Sequence, residues 1–94
     1  MGETKSFEIR RYSIRVKYGD ADKEEVFEFV HKSYIEAMLG NISREEIMSE
    51  AEQDAAFNNA VQEINYIYKT FGRFATGVGV TNLFAKYGFE RSPR

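Results

Sequence analysis

Ninety-four residues amount to one domain (1–94), near the size at which a single core suffices only if every element contributes to it. The composition, 43% apolar, 30% charged and 15% aromatic with eight Phe and six Tyr, excludes extended disorder, and zero cysteine excludes disulfides, thiolate metal sites and thiol catalysis. A formal net charge of −2 hides segregation: residues 1–19 sum to +3, residues 20–70 to −8 and residues 71–94 to +3, so the ends complement the middle, within one chain or between two copies.

No apolar run approaches the ~20 residues of a membrane span, and MGETKSFEIRR lacks the apolar centre of a signal peptide, so a cytoplasmic location is expected. The first element is Ser6 to Tyr18, where apolar and polar residues alternate as in a half-buried strand. Phe7 and Ile9 are odd-numbered, whereas Tyr12, Ile14, Val16 and Tyr18 are even. One extra residue, a β-bulge near Arg10-Arg11, would bring all six to one face. The other face of the second half carries Arg11, Ser13, Arg15 and Lys17, and Gly19-Asp20 then turns the chain.

Asp22-Lys23-Glu24-Glu25 has the acidic, capping-box character of a helix start, and Val26, Phe27, Val30, Tyr34, Ile35, Met38 and Leu39 suggest one apolar face. A helix from Asp22 to Leu39 is expected, stopped by Gly40-Asn41. Ser43-Arg44-Glu45-Glu46 is a second capping box, which makes an antiparallel helical hairpin with the segment Ser43 to Phe71. That segment holds the longest unbroken helical periodicity. A straight helix of this length, about 43 Å, would overhang a domain whose radius of gyration should be near ~12 Å. A break near Gln53-Asp54, with Asp54 as a new N-cap, is therefore expected; without it, the overhang needs a second subunit.

Beyond Phe71, Phe74, Thr76, Val78 and Val80 alternate with small residues in a Gly-rich segment, read as a short strand pairing with the first strand. Thr81 should cap a short helix, Asn82 to Tyr87, that Gly88 ends, leaving residues 1–5 and 91–94 frayed. The fold class is α+β.

No catalytic constellation, cofactor motif or metal site is assigned. Glu28 and His31 give Glu-x-x-His, but one copy cannot complete a di-iron carboxylate set. Asp20, Asp22 and Glu24 follow calcium-loop spacing, yet Glu25 stands where the turn needs Gly and His31 where a bidentate acid is needed. Gly77, Gly79 and Thr81 would place backbone amides at a helix start able to hold a phosphate, without the Lys of a P-loop. Arg10, Arg11, Arg15 and Lys17 suggest a nucleic-acid surface, although the neighbouring aromatics fall on the opposite phase of the strand. Tyr34, Tyr66, Tyr68 and Tyr87 add to an aromatic excess of the kind enriched at interface centres. These features favour a non-enzymatic protein–protein interaction module of the adaptor, inhibitor or immunity type, acting as a homodimer with an unidentified protein partner. The alternatives are a nucleic-acid binder, and a small-ligand binder or enzyme with an aromatic pocket.

Overall fold

A computed structural model of the chain describes residues 9–18, 23–71 and 77–92. Strands β1 (Arg11–Tyr18) and β2 (Lys23–His31) lead into helix α1 (Lys32–Met38) and a single 3-10 turn, Arg44–Glu46. Helices α2 (Glu50–Phe71) and α3 (Gly77–Lys86) follow, and β3 (Phe89–Arg91) ends the described chain. The three strands form one antiparallel sheet in the order β1-β2-β3, so the class is α+β as expected.

The main correction concerns the helix expected from Asp22 to Leu39. Residues Lys23–His31 are instead the central strand, and only Lys32–Met38 is helical. Val26-Phe27-Glu28-Phe29-Val30 is β-branched and aromatic, and its apolar residues sit on both faces. That spread mimics a wide helical stripe when read at a period of 3.6, whereas at a period of two it describes a central strand with apolar residues on both faces. The strand ends at His31, whose extended backbone and Nδ1, accepting the Ser33 N–H at 3.1 Å, cap α1. Gly40 then closes α1 at φ 80°, with the Gly40 N–H donated to Ala37 O and the Asn41 N–H to Glu36 O. This paired bonding is the Schellman arrangement, so the stop expected at Gly40-Asn41 is present.

Four further expectations change. Each β1–β2 pair from Arg11↔Val30 to Tyr18↔Lys23 follows in step, so the described strand carries no bulge at Arg11, and Ile9 lies with Val30 on the other face. The Gly19-Asp20 turn and Phe7 lie outside the described residues. The second helix does not break at Gln53-Asp54. Ser43 to Phe71 divides earlier: Ser43 opens only the 3-10 turn, with its N–H donated to Glu46 Oε2 at 3.3 Å, and Ser49 Oγ accepts the Glu52 N–H at 3.3 Å to start α2. From Glu50 the helix runs unbroken for 22 residues, about 33 Å. Finally, Gly77 to Val80 is helical, and the strand that completes the sheet is β3, which pairs with β2 and not with β1. Arg91, expected in a frayed tail, belongs to β3, and the Ser92 N–H is donated to Glu28 O at 2.8 Å. Phe74 and Thr76 lie outside the described residues. The stop at Gly88 is present, at φ 90°.

The core lies on one face of the sheet, here called the front. Phe27 and Phe29 of β2, Phe84 of α3 and Phe89 of β3 are completely buried, joined by Tyr12, Val16, Ala60, Ile64, Val80 and Leu83. Phe29 stacks on Phe84 with centroids 4.5 Å apart, and Phe57 of α2 stacks on Tyr12 at 4.7 Å. Aromatic pairs at such spacing add about 0.5–1.5 kcal/mol each beyond their burial. Helix α2 is aligned along β1. Asp54 accepts the Tyr12 hydroxyl at 2.6 Å near its start, and Ile64 and Tyr68 border Ile14, Val16 and Lys17 two turns and more later.

Candidate functional site

Two surfaces follow from this arrangement. The first is the back face of the sheet. With Phe27, Phe29 and His31 directed to the front, the period of two sends Val26, Glu28 and Val30 to the back. Among the described residues, the seven-residue α1 and the Leu39 that follows it cover that side. Ile35, Met38 and Leu39 meet Val30 and Ile9 around an apolar groove of about 380 Å³. Val26, Met38 and Leu39 remain 48%, 57% and 68% exposed. Across the groove floor the register sets Arg11 of β1, Val30 of β2 and Glu90 of β3 side by side, a cation and a carboxylate flanking an apolar centre.

The second surface is the margin of β1. Ile14, Val16 and Lys17 border a cleft of about 300 Å³ whose opposite wall is Ile64, Asn65 and Tyr68 of α2. Tyr66 is 67% exposed and Tyr68 40%, and both border a shallower depression with Gln62, Asn65 and Lys69. Tyr66 and Tyr68 thus stand together at the surface. Tyr34 does not join them, being buried in α1, and Tyr87 is half-buried, its hydroxyl donated to Glu63 Oε1 at 2.6 Å. Lys86 Nζ donates to Glu63 Oε2 at 2.8 Å; these two bonds hold the Glu63 carboxyl below its ordinary value, and the bond to Glu63 holds the Tyr87 hydroxyl above its own.

The basic residues of β1 are placed as their spacing predicted, with Arg11, Arg15 and Lys17 on the back face. Each faces a carboxylate of β2: Arg11 lies 3.9 Å from Glu28, and Arg15 and Lys17 lie 4.0 and 3.9 Å from Glu24. Arg10 is set apart, bound to Glu50 at 3.3 Å and Asp54 at 3.2 Å on α2. Acids interleaved with the cations weaken any track for phosphates.

The phosphate expectation is not supported by the geometry of Thr81. Gly77 opens α3, but Thr81 lies a full turn inside it and donates its hydroxyl to Gly77 O at 2.8 Å, so it does not cap a helix start. Glu28 and His31, three apart on a strand, fall on opposite faces and cannot share a ligand. Among the described residues no group of three or more His, Cys, Asp or Glu is arranged to hold a metal ion. Asp20 and Asp22 lie outside the described residues. No described helix is long and apolar enough to cross a membrane.

Sequence reasoning missed two polar connections. His31 is buried, with its ring edge-on to Phe89 at 5.2 Å, and its Nδ1 lies 2.8 Å from Ser33 Oγ, which accepts the Met48 N–H at 3.2 Å. Burial, then the nearby Lys32 charge, lowers the His31 pKa, so the ring is neutral at pH 7 and ties β2, α1 and the approach to α2 together. Tyr12 is the other. Burial, reinforced by its bond to Asp54, pushes its hydroxyl up to about 12. His31 and Ser33 form a local helix cap from an unusual capping residue, whereas the Ser33–Met48 and Tyr12–Asp54 bonds join distant elements. No family model matches the chain, and no curated protein or solved structure matches it significantly.

Proposed function

We propose that the protein is a non-enzymatic protein–protein interaction module of the adaptor, inhibitor or immunity type, working in the cytoplasm as a homodimer that closes the back face of its sheet. The observation that carries this reading is the open apolar groove between β2 and α1, where Met38 and Leu39 are more than half exposed beside Val30. Contiguous apolar surface of this kind, rimmed by polar groups, marks association sites in globular proteins. The rim supports a second copy as the occupant. A two-fold axis lying along β2 would set Arg11 of one copy opposite Glu90 of the other, the charge self-complementarity that an isologous interface requires.

Light scattering tests the reading directly. A chain of 10.9 kDa should appear at twice that mass at high micromolar concentration, and Leu39→Glu should return it to the single-chain mass without loss of helical signal. A wild-type chain that stays at the single-chain mass throughout would defeat the homodimer.

A further inference from the structure

We infer that the outer margin of β1 is a docking edge for an extended segment of a partner protein in which acidic and apolar residues alternate. The inference rests on the interaction-module reading but uses the edge of the sheet, not its back face. Because the strand order is β1-β2-β3, the outer side of β1 pairs with no other strand among the described residues. Its eight residues hold an unbroken register with β2 and include no proline. In an antiparallel pair alternate residues turn their N–H and C=O groups away from the neighbour, so β1 presents these groups outward at the spacing a further strand needs.

The two sides of this edge ask for different side chains. On the front, Ile14 and Val16 form one wall of the cleft whose other wall is Ile64 and Tyr68, and Lys17 also borders it, which brings the cleft to the strand's margin. On the back, the side chains of Arg11, Arg15 and Lys17 are 60%, 76% and 64% exposed. Among the described residues, these three cations face two carboxylates, Glu24 and Glu28, both on β2, which leaves the row with more positive than negative charge. A strand added to β1 places every second side chain on the front and the others on the back. Those in front meet the cleft where Ile14 and Tyr68 offer apolar surface, and those behind lie beside the basic row, where opposite charges on adjacent strands stabilise pairing.

Other occupants fit less well. Two copies of β1 pairing antiparallel would set Arg11 near the other copy's Lys17, and like charges on adjacent strands are destabilising. A nucleic-acid strand would meet the cations but leave the outward backbone groups of β1 unmatched.

The test uses an eight-residue, end-blocked, fluorescein-labelled peptide of alternating Glu and Val, followed by anisotropy and by amide resonances of the full chain. The peptide should bind saturably, shift resonances most strongly over residues 11–17, and lose about tenfold in affinity against Arg15→Glu/Lys17→Glu. Versions N-methylated at alternate residues, in either phase, test the backbone without altering the protein. One phase should abolish binding. Equal binding of both N-methylated forms, equal binding of an alternating Lys and Val peptide, or tighter binding of an oligothymidylate that displaces the peptide would each overturn the inference. The Leu39→Glu chain should bind the peptide as the wild type does. A dimeric wild type that ignores the peptide overturns the edge alone, and a monomeric wild type that binds it overturns only the homodimer.

Discussion

The two faces of the sheet are built from one central strand and have opposite fates. On the front, β2 contributes Phe27, Phe29 and His31, all but sealed beneath α2 and α3, with Phe84 and Phe89 completing a set of stacked and edge-on rings. On the back, the same strand contributes Val26, Glu28 and Val30, and the described cover is the seven-residue α1, with Met38 and the following Leu39 facing outward. A small chain has enough helix to close one face of a sheet well, and here both long helices lie on the front. The front therefore holds the fold, and among the described residues the back retains exposed apolar surface at Val26, Met38 and Leu39.

Substitutions can break this contrast. The largest effect is expected at Phe84→Ala, which empties a ring-sized volume from a completely buried position and should cost about 3–5 kcal/mol in urea unfolding. A loss below about 1 kcal/mol would mean that the front is not the core. Leu39→Glu on the back, by contrast, should leave the stability of the isolated chain nearly unchanged while abolishing association.

Gly88→Ala comes next. At φ 90° an added Cβ would stand 2.9 Å from His31 Nε2, and that buried ring, held through Nδ1 by Ser33, has no free direction in which to move. The cost should be about 2–3 kcal/mol, part from the left-handed backbone and part from the displaced ring. Pairing Gly88→Ala with His31→Ala should recover some of it, and no recovery would separate the two residues.

The smallest effect sharpens the front at its edge. Tyr12 is protonated in the folded chain up to about 12, above the ordinary tyrosine value near ~10, so its contribution to stability is complete below pH ~10 and is lost as pH rises through about 12. Ultraviolet titration should show tyrosine ionisation delayed in the folded chain, and Tyr12→Phe should remove the latest component and cost about 1 kcal/mol at pH 7 through the lost bond to Asp54.

Local chemistry was legible wherever it is carried by one or two adjacent residues. Gly40 and Gly88 end their helices as their lack of a Cβ suggests, Ser43 opens a turn with Glu46, and the basic row of β1 falls on a single face because a strand alternates. Illegible in one dimension was the identity of Lys23–His31. An acidic, capping-box start followed by apolar residues on every side satisfies a helical stripe and a central strand alike, and the choice depends on whether neighbouring strands are present to accept the backbone. β1 pairs with the whole of Lys23–His31 and β3 with Phe29–His31, and these ladders take up the backbone that a helix would have satisfied internally.

The same division holds for the candidate surfaces. Tyr66 and Tyr68 could be marked as aromatic excess, but the burial of Tyr34 depends on where α1 settles, and Tyr87 is tied to Glu63 by a contact between helices. By itself the sequence determined the α+β class, the helix stops, the alternation of β1 and the absence of cysteine chemistry, because each depends on backbone preference or composition within a few residues. Only the tertiary structure decided that residues 23–31 are the middle of a sheet, that α2 runs unbroken along β1, and that both long helices settle on the front. Those outcomes depend on which distant segments reach one another, and that competition is settled by burial and hydrogen bonding over the whole chain.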